Sequence, residues 1–237
     1  MEKGINSTNA VLIIGESGSG KSTAIRTLPS EETLVINVSE NKALPFRGWR
    51  KKYTLLSKDN PNGNFINASN ANKIKSIMNH VSTKMGHIKY LVLDDLQYMS
   101  AFDYYDRADE KGYDKFTQIA KDLASVLRMP SRLRDDLCVF YLMHPETTVD
   151  INGKVKTKAK TLGKMIDNSL TVEGLFTIVL FSRVVKDKEN QISYVFETQS
   201  NTETTAKSPM DMFEDFQIPN SMKLVADSIY EYENYEE

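Results

Sequence analysis

Short, unbroken apolar runs alternate along this chain with longer stretches in which apolar residues recur every three or four positions. The unbroken runs are Ala10–Ile14, Thr33–Val38 (TLVINV), Tyr90–Leu93, Leu137–Met143 (LCVFYLM) and Leu175–Val185 (LFTIVLFSRVV). Such continuity predicts strands covered on both faces, as in a mostly parallel sheet. Asn72–Met85 carries Ile74, Ile77, Met78 and Val81 at helical spacing. Phe116–Met129 does the same with Ile119, Ala120, Leu123 and Leu127, and Pro130 ends it. Ser221–Tyr232 predicts a final helix before an acidic tail that begins near residue 231. Ile192–Thr198 returns after a turn at Lys186–Asn190, which predicts an antiparallel C-terminal β-hairpin. The expected fold class is therefore α/β, with helices on both faces of a mostly parallel sheet. Asp59–Asn70, rich in Asn, Pro and Gly, is expected to be a loop, and Ala101–Tyr113 a mobile polar and aromatic one.

Composition narrows the classes. With 237 residues, 40% of them hydrophobic, the chain can bury a full core, and one domain spanning 1–237 is the natural expectation. No apolar run approaches a membrane span and no signal-peptide pattern opens the chain, so no membrane partner is expected. The one cysteine, Cys138, lies inside an apolar run, which excludes a disulfide framework and points to a reducing, cytoplasmic setting. Net charge is −2, so any nucleic-acid surface must be a local patch.

The first apolar run ends in Gly15-Glu16-Ser17-Gly18-Ser19-Gly20-Lys21-Ser22-Thr23, which fills the pattern G-x-x-x-x-G-K-[ST] completely. Glycines let successive backbone N–H groups converge on phosphate oxygens, and the N-terminus of a following helix adds partial positive charge. Lys21 is expected to bridge the β- and γ-phosphates, and the Ser22 hydroxyl to ligate Mg²⁺. That helix should point Ile25 and Leu28 at the core and stop near Pro29.

Tyr90-Leu91-Val92-Leu93-Asp94-Asp95 is the second motif: an apolar strand delivering two carboxylates downstream of a phosphate loop, the Walker B arrangement. Asp94 is expected to hold Mg²⁺ and Asp95 to act on the nucleophile. Two further residues lie at the C-terminal ends of strands, the edge where open α/β sheets bind ligands. Glu40, after the second run, is a candidate for orienting the attacking water or else a turn residue. His144, after the fourth, is a candidate sensor of the γ-phosphate. Thr147–Lys164 reads as a hairpin turning at Asn152-Gly153. On its second arm Lys154, Lys156, Lys158 and Lys160 recur at every second position, so a strand presents them on one face. They suit nucleic-acid phosphates, although a solvated edge carries lysines too. Pro45–Lys52 joins the only tryptophan, Trp49, to Arg47, Arg50, Lys51 and Lys52, as a base-stacking site or as a buried ring beside a basic run.

A small GTPase would need D-x-x-G and N-K-x-D elements, and Asn41-Lys42 continues instead as Ala43-Leu44. A nucleoside monophosphate kinase would want an arginine-rich lid where this chain has a lysine hairpin. Thr33–Val38 is taken as the extra strand between the phosphate-loop and Walker B strands of the additional-strand ATPases. The phosphate loop, INVSENKALPFRGW, LVLDD, His144-Pro145-Glu146, LGKMIDNSLTVEGLFTIVLFSR and ETQSNTETTAKSP together resemble the phage-encoded RecA-like ATPases, over about Val11–Ile229. That resemblance implies a RecA-like core, ATP and Mg²⁺ as cofactors, assembly into a homo-oligomer or filament, and single-stranded DNA as partner. It further implies a role in recombination, repair or replication, in the host cytoplasm if the chain is phage-encoded. DNA would lie by position at Thr147–Lys164, and Glu40 falls about one residue from the family's water-polarising glutamate. Arg183 and Lys207 become candidates for a cation that completes a neighbour's ATP site. The rival expectations are a small-molecule phosphotransferase and a nucleotide-gated interaction protein with little turnover.

Overall fold

A computed structural model describes residues 9–149, 153, 155–162 and 170–235. Ten strands are described, with five α-helices among them. In chain order these are β1 (Ala10–Ile14), β2 (Thr33–Asn37), α1 (Trp49–Lys52), β3 (Phe65–Asn67), α2 (Ala71–Lys84), β4 (Tyr90–Asp94), α3 (Gln97–Asp106) and α4 (Asp114–Leu127). They continue as β5 (Cys138–Met143), β6 (Pro145–Val149), β7 (Val155–Ala159), β8 (Ile178–Lys186), β9 (Ile192–Glu197), β10 (Gln217–Pro219) and α5 (Met222–Glu233). Eight of the strands form one sheet in the order β10-β9-β8-β1-β5-β4-β2-β3, while β6 and β7 pair separately. From β8 to β3 every neighbouring pair is parallel, and β9 and β10 extend one edge antiparallel.

The unbroken apolar runs make physical sense in this sheet, because alternate residues feed two separate cores. Leu12, Ile14, Leu34, Ile36, Leu91, Leu93, Val139 and Tyr141 face the layer of α2 and α4, where Ile74, Met78, Ile119 and Leu123 are buried. Val11, Ile13, Val35, Val92, Phe140 and Leu142 face the opposite layer, which holds Ile25 and, from α5, Met222, Val225 and Ile229. A strand buried on both sides has no position to spare for a polar residue, which is why its pattern does not alternate. The one deeply buried tyrosine of β5, Tyr141, meets this demand by donating its hydroxyl to the Val126 carbonyl at 3.1 Å.

The structure departs from the sequence expectations in four places. The turn after the phosphate loop is a six-residue 3₁₀-helix, Ser22–Thr27, rather than an α-helix. Leu28 is already extended before Pro29, which ends the segment within two turns. Ile25 and Leu28 are nevertheless buried, as expected. The Asp59–Asn70 loop contains β3, a three-residue strand too short to show a period. Ala101–Tyr113 begins as helix: α3 runs to Asp106, and Tyr104 packs edge-on to Tyr105 and beside Phe116. Finally, the strand standing between β1 and β4 is β5, whereas β2 lies on the far side of β4. The inserted strand is thus Cys138–Met143 and not Thr33–Val38, because order within a parallel sheet need not follow order in the chain. Trp49 packs against Phe65 with centroids 5.8 Å apart, and the Arg50 guanidinium lies 5.4 Å from its ring. Both contacts fit the buried-ring alternative for this segment.

Candidate functional site

All parallel strands point the same way, so β1, β2, β4, β5 and β8 deliver their C-terminal residues to one edge. The loop Gly15–Gly20 leaves β1 there. Gly15 has no room for a side chain: an added Cβ would stand 2.5 Å from Ser19 Oγ and 2.8 Å from the Ser182 carbonyl oxygen. Gly20 takes φ 98°, and a Cβ there would meet Tyr194 at 2.8 Å. The loop is therefore pressed against β8 and β9, and Ser182 Oγ fastens it by donating to the Ser19 carbonyl at 2.7 Å. Ser182 and Tyr194 were not anticipated. The buried serine interrupting the apolar run LFSR was the available signal.

Lys21 is 5% exposed. Its ammonium folds back to donate to the carbonyls of Gly15 at 2.5 Å and Glu16 at 2.9 Å. Burial lowers its pKa to about 8, and Asp95 and Asp94 only partly oppose this. Ser22 donates its hydroxyl to Asp94 Oδ1 at 2.7 Å, a buried contact between residues 72 apart in sequence. The two halves of the expected metal position thus meet directly. Burial and the adjacent Asp95 push the Asp94 carboxyl up, against the pull of Lys42 and Ser22.

Asp95 follows β4 in the left-handed region at φ 61°, a conformation that aspartate tolerates and bulkier residues resist. There its carboxylate lies between two nitrogens: Lys42 Nζ is 2.7 Å from Oδ2, and His144 Nε2 is 3.3 Å from Oδ1. Burial pushes this carboxyl up, but His144 and Lys42 outweigh it and hold the pKa at about 2. Asp95 Oδ1 has no well-directed donor, and Ser19 Oγ is likewise buried without a partner.

Glu40 sits apart from this cluster. Its backbone is left-handed at φ 63°, and its exposed carboxylate accepts from Ser69 Oγ at 2.7 Å, at the entrance to α2. That is the turn-residue alternative. The neighbouring Lys42 reaches the site instead, donating to Ser22 Oγ at 3.0 Å as well as to Asp95. No sequence signal marked it, since a lysine in an aperiodic loop has no pattern to betray it.

β6 and β7 pair as a hairpin with Pro145 opposite Ala159 and Val149 opposite Val155, one residue out of the register that a two-residue Asn152-Gly153 turn would give, and Asn152 itself lies outside the described residues. Lys156 and Lys158 share one face of β7, while Ala159 on the other face is buried and its N–H donates to Glu173 at 2.6 Å. Lys160 lies just past β7 and is exposed, and Lys154 falls outside the described residues. A cleft of about 240 Å³ between Glu16, Tyr98, His144 and Lys160 joins the phosphate loop to the base of the hairpin. Arg183 is engaged within its own chain, donating to Glu197 at 3.2 Å with its guanidinium 5.6 Å from the Phe181 ring. Lys207 exchanges two backbone bonds with Val179 and keeps a half-buried side chain.

The fit to Mg²⁺ and a nucleotide follows from these atoms. Mg²⁺ is commonly held by one or two carboxylates plus substrate phosphates, and Ser22 with Asp94 provide that partial set. Among the described residues no group of three or more His, Cys, Asp and Glu makes an all-protein cage. The unpartnered Ser19 hydroxyl and the loop-bound Lys21 ammonium are donors that phosphate oxygens would satisfy. No helix among the described residues is long and apolar enough to cross a membrane. Compared with models of known families, residues 7–210 match the one described as an AAA domain. A search of curated proteins found no match.

Proposed function

Because the chain belongs to the AAA-domain family of P-loop ATPases, we propose that it is a Mg²⁺-dependent ATPase of RecA-like architecture, acting on single-stranded DNA in recombination, repair or replication. The observation that carries the catalytic half is the 2.7 Å hydrogen bond between Ser22 and Asp94. It joins the hydroxyl of the phosphate loop to the acid that ends β4. When bound, Mg²⁺ would lie against these two side chains and neutralise charge on the β- and γ-phosphates. The residues of the chain divide the remaining work. Backbone N–H groups of Ser17–Gly20 hold phosphate oxygens, and Lys21 exchanges its loop carbonyls for the β- and γ-phosphates. Asp95, ionised and lodged between Lys42 and His144, orients the attacking water rather than storing its proton, because a carboxylate near pKa 2 is a weak base. His144, at the end of the inserted strand, senses the terminal phosphate.

The DNA half of the proposal is supported by position. The hairpin of β6 and β7 leaves the sheet directly after His144 and carries Lys156 and Lys158 on one face, with Lys160 at its base. A homo-oligomer or filament on the strand belongs to the same proposal, with Arg183 or Lys207 reaching a neighbour. Release of inorganic phosphate from ATP tests it, measured with and without Mg²⁺ and with and without single-stranded DNA. Turnover that needs Mg²⁺ and rises with DNA is expected. Tight ATP binding by folded protein with no release of phosphate, or transfer of phosphate to a small acceptor, would overturn it.

A further inference from the structure

Lys42, which flanks Asp95, also reaches the oxygens of Ser22 and Asp94. Its ammonium lies 3.0 Å from Ser22 Oγ, 2.7 Å from Asp95 Oδ2 and 3.7 Å from Asp94 Oδ2. Those three side chains are nearly inaccessible, with Ser22 at 6%, Asp94 at 1% and Asp95 at 2% exposure. We propose that the Lys42 ammonium and the divalent cation compete for these oxygens, so that Lys42 acts as a built-in counter-ion which the metal must expel. The inference rests on reading Ser22 and Asp94 as the metal position.

Three features support competition rather than a shared site. A Mg²⁺ ion needs its oxygens at about 2.0–2.1 Å in near-octahedral order, and an ammonium already hydrogen-bonded to Ser22 intrudes on that shell. Two cations a few ångströms apart in a site of low polarity also repel strongly. Lys42, moreover, is free to leave. Its side chain is 38% exposed, whereas its backbone is anchored by the Asn37 amide, which donates to the Lys42 carbonyl at 3.1 Å. Asn37 lies opposite Asp94 in the β2–β4 pairing, so the anchor belongs to the sheet. The side chain can therefore swing outward while its root stays fixed. The chemical consequence is selectivity for the metal–nucleotide pair. A divalent cation alone must displace Lys42 without offering the ammonium a new partner. A cation arriving with a triphosphate supplies anionic oxygens to which the ammonium can turn.

Binding of Mn²⁺, followed by the paramagnetic resonance signal of the free ion, tests this without reference to turnover. The proteins are wild type, Lys42→Met, Lys42→Gln and Asp94→Asn, each with and without a non-hydrolysable ATP analogue. Without nucleotide, both neutral Lys42 variants should bind Mn²⁺ roughly tenfold or more tightly than wild type. Mn²⁺ alone should likewise raise their melting temperature but not that of wild type. Two neutral variants guard against one failing to fold. Lys42→Arg, which keeps the charge, should behave as wild type. Equal Mn²⁺ affinity in wild type and both neutral variants would overturn the competition, even if Asp94→Asn abolishes binding in the nucleotide complex. If Asp94→Asn leaves Mn²⁺ binding in the nucleotide complex unchanged, the metal position itself is misassigned and the inference falls with it.

Discussion

A buried lysine that titrates near pH 8 makes nucleotide binding and stability depend on pH in a direction that can be worked out beforehand. Lys21 has a pKa of about 8 in the folded chain against 10.5 for an unperturbed lysine, and burial is the main cause. The unfolded chain therefore holds the proton more tightly, and stability rises with pH wherever the unfolded state binds more protons. For this group the rise begins near pH 8 and ends near 10.5. The full span of about 2.5 units corresponds to about 3 kcal/mol. The linkage relation assigns about 1.3 kcal/mol of it to the interval from pH 7 to pH 9. In a chain of this size that is a gain of roughly 3–5 °C in melting temperature. Other groups titrate over the same interval, so the informative quantity is the difference between wild type and Lys21→Met. That difference should shift by roughly 3–5 °C in favour of wild type between pH 7 and 9.

Phosphate oxygens would restore the charge on Lys21. At pH 8, where free protein carries this proton about half the time, binding Mg²⁺–ATP should take up about half a proton. At pH 6 the uptake through Lys21 should vanish, since the lysine is already charged. Calorimetry in buffers of different ionisation enthalpy counts the proton. A wild-type to Lys21→Met difference in melting temperature that stays constant from pH 6.5 to 9, with no proton uptake at pH 8, would refute the reasoning. The lysine would then be solvated by its loop rather than desolvated by burial.

Three further outcomes are expected. Asp95→Asn should lower ATP turnover by roughly a hundredfold or more at little cost in affinity, whereas Glu40→Gln, which keeps an acceptor oxygen for Ser69, should stay within about threefold of wild type; single-turnover kinetics separate the two, and the reverse order would make Glu40 the water-orienting group. Replacing Lys156, Lys158 and Lys160 with glutamine should flatten the slope of log affinity against log salt for single-stranded DNA by roughly 2, at about 0.7 per phosphate contact; an unchanged slope would make the hairpin a solvated edge. ATP should raise the mass of the protein in light scattering and make the specific ATPase rate climb with protein concentration, an effect that Arg183→Ala should weaken; a monomer under all conditions would remove the trans-acting role.

The central strands could be read from the sequence because burial on both faces leaves an unbroken apolar run, a signal that needs no partner to interpret. Alternate residues of β1, β2, β4 and β5 indeed serve two different cores. Strand order was not readable, since nothing in Thr33–Val38 or Leu137–Met143 records which of them stands beside β1. Helix α3 escaped notice for a different reason. Only Met99 and Ser100 are buried along it, so its tyrosines and aspartates carry no apolar stripe. In the site, motif spacing found Lys21, Ser22 and Asp94, since phosphate chemistry demands those residues in that order. Glu40 stood at the right strand end, yet its left-handed backbone accompanies a carboxylate bound to Ser69. Two residues on, Lys42 reaches the oxygens that the motif defines.

The inserted strand also explains why one histidine touches both halves of the molecule. Because β5 lies between β1 and β4, its C-terminal end emerges between the phosphate loop and Asp95. His144 follows immediately. Its Nε2 is 3.3 Å from Asp95, its N–H donates to Gln97 at 3.3 Å, and its carbonyl accepts from the N–H of Lys160 at 2.8 Å. Lys160 closes the lysine hairpin, so this backbone hydrogen bond ties the end of β5 to the hairpin's base. The middle of β7 is held as well: Thr157 donates its N–H to the carbonyl of Glu203, and Thr204 bridges to the same strand. Sheet order, which no motif encodes, thus places the root of the lysine hairpin at the end of the strand that lies between β1 and β4.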